Sequence, residues 1–185
     1  NSANSTIRYN RLIGGAFSSV GMGNASDNQN AVISNNYIQI QSGNHYAHDQ
    51  NIVGLIAHDA TIEEDTVLVS NTYHDTHSDG IVANRSTIRN CVVQLSHGGW
   101  TDQVITSYGD ENSRSIIEGN AITASGSVYG IKTTYADVVN NLITGGNSVP
   151  GIYISGGDVL ISGNVITNIY LGIQSDNAQI DVQNN

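Results

Sequence analysis

All six histidines of this chain fall between residues 41 and 113: His45, His48, His58, His74, His77 and His97. The only tryptophan, Trp100, lies there too. Acidic residues and an arginine accompany them in a recurring order. His48-Asp49, His77-Ser78-Asp79 and Trp100-Thr101-Asp102 lead into Gly54-Leu55, Gly80-Ile81 and Val104-Ile105. His58-Asp59, Asn84-Arg85 and Asp110-Glu111 follow those pairs. Imidazole exchanges protons near neutral pH, and a neighbouring carboxylate tunes it. The set therefore has the parts for proton transfer.

Two chemistries suit it. Cleaving or epimerising a uronan by proton abstraction needs a cation to neutralise the uronate. It also needs a base for the C5 proton and an acid for the leaving oxygen. Arg85 is the candidate cation, His77 or His58 the base, and Tyr73 or His97 the acid. Hydrolysis instead needs two carboxyls flanking the scissile bond, for which Asp79, Asp102, Asp110 and Asp75 are the candidates. Trp100 would stack on a sugar face in either case, with His48, Asp110 and Tyr73 also contacting substrate. Each residue has a structural alternative. Histidines in long turns are often solvated, and Asp79 before Gly80 suits a turn carboxylate. Arg85 can pair with Asp59 or Asp110, and Trp100 can simply cover a loop. The run His74-Asp75-Thr76-His77-Ser78-Asp79 is rich in ligand atoms but lacks a zinc spacing. No metal site is assigned, and calcium on Asp75 and Asp79 is the one cofactor left open.

Such side chains need a scaffold that sets them side by side, and the repeats provide it. An apolar pair, a small or polar residue, an asparagine and a second apolar pair recur. They read Ile33-Ser34-Asn35-Asn36-Tyr37-Ile38, Ile117-Glu118-Gly119-Asn120-Ala121-Ile122, Val138-Val139-Asn140-Asn141-Leu142-Ile143 and Ile161-Ser162-Gly163-Asn164-Val165-Ile166. Leu68-Val69-Ser70-Asn71, Ile88-Arg89-Asn90-Cys91-Val92 and Val182-Gln183-Asn184-Asn185 are shorter copies, and Asn10 is a plausible earlier member. A Gly-apolar column runs alongside through Gly54, Gly80, Gly130, Gly151 and Gly172. A unit of about 20–30 residues, repeated, implies a solenoid. The apolar stretches are short and rich in Val, Ile and Thr, which favours strands. The expectation is an all-β, right-handed parallel β-helix of about seven to eight coils with three short strands each. Asparagines stack between coils as a hydrogen-bonded ladder.

The alternation of V-x-I-x-N-N-x-I with Gly-Ile resembles the pectate-lyase-like right-handed β-helix superfamily over roughly residues 7–185. That resemblance implies the fold and says little about activity, because the superfamily includes lyases, polygalacturonases, epimerases, tailspikes, adhesins and plain spacers. It also implies a substrate groove along the strand at 80–83 and its neighbours. A match to polygalacturonase segments in Ser78-Asp79-Gly80, Ser96-His97-Gly98-Gly99 and Gly130-Ile131-Lys132-Thr133 lacks that family's acid pair.

The chain reads as one β-helix domain over 1–185, expected to be a segment of a longer protein. Long His/Asp-rich turns fill 41–113, and compact coils fill 114–185. A net charge of -10 repels nucleic acid, so no such partner is expected. No membrane partner is expected either. The single Cys91 reads as packing. Low lysine with abundant Asn, Ser and Gly suggests an extracellular, cell-surface or virion setting. Three functions follow: an enzyme acting on an acidic polysaccharide, a glycan-binding or receptor-recognition module, or a rod that stacks end to end or trimerises.

Overall fold

Strand propensity and register combine into three stacked columns of strands, one per face of a coil. The computed structural model describes residues 5–15, 20–23, 30–42, 52–72, 77–145 and 149–185; of residues 15, 20–23, 42 and 98–101 it describes the backbone alone. Every regular element among them is a strand, and all described pairings are parallel. The fold is a parallel β-solenoid. Its first face is an eight-stranded sheet running from Thr6–Arg8 to Ala178–Gln183. The second and third faces belong to one twelve-stranded sheet. They are joined because Val92–Tyr108 and Ala121–Thr134 each run through both faces without a break. The expected three short strands per coil thus give way, in two middle coils, to two strands, the second long and bent.

Inward positions carry like residues in register. Ile33, Ile62, Ile88, Ile117, Val138 and Ile161 stack on the first face, all fully buried. Each such burial is worth roughly 2 kcal/mol. On the third face Leu55, Ile81, Ile105, Ile131 and Ile152 do the same. A glycine precedes each of them except Ile105, which follows Val104, and these glycines pack against the second face. A methyl group at Gly80 would lie 2.5 Å from the Val104 carbonyl oxygen and 2.7 Å from Val93 Cγ1.

The corner between the first and second faces holds the ladder. Each turn has a left-handed residue there: Asn35, Glu64, Asn90, Gly119, Asn140 and Gly163 all have positive φ, which Asn and Gly adopt most readily. The next residue points inward. The Nδ2 groups of Asn36, Asn120, Asn141 and Asn164 donate to the next coil's Oδ1 at 2.8–2.9 Å. They also donate to a carbonyl of the preceding coil, as Asn141 does to Ile117 at 2.9 Å. The slots between Asn36 and Asn120 are filled by Asp65 and Cys91, not by Asn71 and Asn90. Asn71 sits at the far end of the second face, in register with His97. Asn90 is the left-handed residue before Cys91. The Cys91 thiol donates weakly to the carbonyls of Arg89 and Ile62, and burial pushes its pKa up to about 12.

Candidate functional site

The corner between the second and third faces is where the histidine-rich sequence becomes three-dimensional. Four residues, 98–101, separate His97 from Asp102, whereas Ser127 alone separates their partners Gly126 and Val128. This bulge re-aims the chain, as bulges do beside functional sites. Asp102 takes the inward position opposite Val128, and Asp79 takes an outward one opposite Gln103. Aligning Asp79 with Asp102 by sequence is therefore one residue out, and one residue is a change of face.

The result is a buried polar cluster at this corner. His97 and Asp102 are 3 % and 1 % exposed, and His97 Nδ1 meets Asp102 Oδ2. Asn71 Nδ2 donates to Ser78 Oγ at 2.9 Å on the same side. The other Asp102 oxygen faces outward to His77, whose Nδ1 lies 3.6 Å from Oδ1. The His77 side chain is 67 % exposed. At that separation the contact is electrostatic, not a hydrogen bond; such contacts commonly tighten when substrate binds. One imidazole is thus presented to solvent by a buried carboxylate that a second imidazole holds from within.

Asp79 stands beside this pair. Burial, reinforced by the Asp102 charge, raises its pKa to about 6, while His77, the Gln103 backbone amide and Lys132 pull the other way. Asp79 Oδ1 is buried without a hydrogen-bond partner among the described residues. Burial and the Asp79 charge together raise Tyr108. Farther along the same outer face, Lys132 Nζ sits 5.9 Å from the centre of the Tyr153 ring, and the Tyr129 and Tyr153 rings are 5.3 Å apart. Tyr153 donates to Asp176 at 2.6 Å. In the sequence Lys132 stands out only within the polygalacturonase-like segment, and Tyr129 and Tyr153 do not stand out at all. Following the outward columns up the third face, through Asp79–Gln103–Tyr129 and Thr106–Lys132–Tyr153, finds them.

The corner after the third strand is a different place. Ser78–Asn84 separates the two corners by about 20 Å at ~3.3 Å per residue. Arg85 donates from Nε and Nη2 to the two carboxylate oxygens of Asp59 of the preceding coil, at 2.8 and 2.7 Å, and its hydrogen bond and charge hold that carboxyl below its ordinary value. His58 Nδ1 meets Asn84 Nδ2 at 3.2 Å. Asp110 accepts from the backbone amides of Asn112 and Ser113 within its own turn. None of these three stands with His77. His45, His48, Tyr73, His74 and Asp75 lie outside the described residues, and so does the side chain of Trp100. Among the described residues no group of three or more His, Cys, Asp and Glu side chains could hold a metal ion.

No family model matches the chain, nor does any curated protein or any solved structure.

Proposed function

We propose that this solenoid acts on an acidic polysaccharide laid across the outside of its third face, by proton transfer of the lyase or epimerase kind. His77 takes the proton α to the uronate carboxylate. Asp102 orients the imidazole and stabilises its charged form, and His97 holds Asp102 from behind. Asp79, protonated at mildly acidic pH, is the donor to the departing oxygen or to the opposite face of the carbanion. Lys132 neutralises the uronate in place of Arg85, which is engaged with Asp59 at the far corner. Hydrolysis by paired carboxyls is disfavoured because Asp102, 1 % exposed, does not reach a bond lying outside the coil. The carrying observation is the solvent-exposed His77 set against a buried Asp102–His97 pair.

Membership in the pectate-lyase-like superfamily belongs to the same proposal and rests on the coil and its ladder. So does an extracellular, cell-surface or virion location, which rests on composition. The test is incubation with pectate, alginate, glycosaminoglycans and capsular polysaccharides, with and without calcium, following unsaturated-product absorbance, new reducing ends and solvent deuterium at C5. Absorbance or exchange that disappears in His77→Asn supports the reading; no change in any substrate defeats it. A second reading, glycan binding without catalysis, is favoured by the Tyr129–Tyr153–Lys132 platform, which can hold a sugar without His77. It predicts binding that survives His77→Asn and falls in Tyr153→Ala.

A further inference from the structure

The second face differs from the other two in being nearly free of charge: among the described residues Arg11, in its first strand, is the one ionic side chain at an outward position. Its outward positions from Tyr37 through Thr66, Val92, Ala121 and Leu142 to Thr167 hold no Asp, Glu, Lys, Arg or His among the described residues. The first face carries Glu63, Arg89, Glu118 and Asp137 at outward positions, and the third carries Asp79 and Lys132. In a chain of net charge -10 this is a distinct strip. A trough of about 310 Å³ crosses it over three successive coils, lined on the outside by Gln39, Gln41, Leu68, Ser70, Gln94 and Ser96. That volume is at the lower end of the range of small-ligand sites.

We propose that this trough binds a neutral glycan segment, so that the protein holds uncharged sugar on its second face, next to the His77 corner. A glutamine amide carries both donors and an acceptor, and a sugar hydroxyl is itself both, so paired bonds form without any ion. Tyr37 Oη donates to Gln39 Oε1 at 2.9 Å, which fixes that amide and leaves its NH2 end to donate. Leu68 offers an apolar spot for a ring's C–H face. An anionic chain finds no cation in the trough; the nearest on this face is Arg11, one coil away and set over the Tyr37 ring at 5.6 Å. A second copy of this chain fits less well. The whole strip spans roughly 450 Å² at ~4.8 Å per coil, about half of the ~800 Å² per partner of a standard interface. Ser70 and Ser96 directly precede Asn71 and His97, so the trough opens onto the corner described above. The inference stands on the trough alone and does not require that corner to be catalytic.

Titration calorimetry against galactomannan, mixed-linkage β-glucan and dextran, at 50 and 500 mM salt, tests it. The expected result is binding to at least one of them, changed less than twofold by salt. Gln39→Ala with Gln94→Ala weakens it about tenfold, the loss expected for two or more hydrogen bonds. His77→Asn leaves it intact, which separates this inference from the proposed reaction. Both glutamines point outward, so an unchanged melting curve shows that the double variant still folds. The inference is overturned by no binding to any neutral polymer, or by binding that the double variant keeps. It is equally overturned if sedimentation shows a dimer that Leu68→Asp dissolves, because the strip would then be covered by a second copy.

Discussion

The two corners that flank the third face use the same residue types to opposite ends. After the strand, Asp59 and Arg85 face each other in partly exposed turns and form a two-bonded ion pair. Before it, Asp102 is drawn into the wall, while half-buried Asp79 and exposed His77 reach outward. The first arrangement lowers a carboxyl's pKa and the second raises one, to about 6. Perturbation by burial in the company of specific charges marks functional sites more often than perturbation by a surface partner. The lesson is that Asp, His and Arg at stacked turns announce nothing by themselves; depth in the wall and the charges met there decide which way a carboxyl's pKa moves.

The largest effect that would break this contrast comes from His77. Because its side chain is exposed, His77→Asn should leave the melting temperature within about 1 °C while lowering turnover by about 10²–10⁴-fold, the usual worth of a general base. Asp102→Asn should lower turnover comparably. It should also destabilise, because the buried His97 loses its charged partner. Arg85→Ala, at the other corner, should leave turnover unchanged. Equal losses in His77→Asn and Arg85→Ala would erase the difference between the corners.

The next effect is in pH. Asp65 and Asp79 are both raised to about 6, chiefly by burial, so the folded chain holds their protons more tightly than the unfolded one does. Their contribution to stability is fully present below the ordinary value of 3.8 and is lost as pH rises through about 6. Asp59 runs the other way and loses its contribution as pH falls below 3.8. Thermal melts should therefore give a higher melting temperature near pH 4.5 than at pH 8. Asp65 is the sharper probe because its position in the ladder is known. Its Oδ1 accepts from the Asn36 backbone amide and Nδ2 at 2.6 and 2.9 Å, while Oδ2 has no hydrogen-bond partner among the described residues. Asp65→Asn puts an amide in that slot, as in Asn36 and Asn120. It should stabilise the protein at pH 8 by on the order of 2 kcal/mol and flatten the pH dependence, without touching turnover. Turnover itself should decline above about pH 6 if Asp79 acts as the acid, and Asp79→Asn should abolish that limb.

Much of the fold is legible in the letters because a solenoid repeats its physics. The Gly-apolar column and the Val/Ile strands recur at fixed positions, and Asn36, Asn120, Asn141, Asn164 and Asn185 occupy the ladder that they announce. The middle coils resist reading for two reasons. Asp65 and Cys91 do the ladder's hydrogen bonding with different atoms, so an asparagine search slides to Asn71 and Asn90. The bulge at 98–101 shifts parity by one, so Asp102 looks equivalent to Asp79 in sequence but takes the opposite face. His97 reads as a loop histidine because Gly98-Gly99 follow it, yet the strand runs on through it and alternation gives it the inward place after Val93 and Leu95. Lys132, Tyr129 and Tyr153 lie in compact coils where no cluster drew attention, and stacking alone assembles them.

The smallest effect gives the contrast its finest edge. Arg85 makes two short bonds to Asp59; removing one partner of such a pair would cost several kcal/mol if it were buried, yet the two side chains are 40 % and 24 % exposed. Water screens such a pair, and the ordering of a long side chain offsets part of what remains, so Arg85→Ala should cost only about 0.2–1 kcal/mol. Arg85 also sits at a positive φ of 49°, a conformation that favours glycine, so its backbone is held by the neighbouring coils. Arg85→Gly should then recover part of the loss by relieving that strain. Chemical denaturation of both variants at 50 mM and 1 M salt checks this. The deficit of Arg85→Ala should shrink at high salt, because the wild type loses its ion pair there, whereas the gain of Gly over Ala should not move. A deficit above 2 kcal/mol that ignores salt would mean that this corner, like the other, depends on a desolvated charge, and the distinction between them would fall.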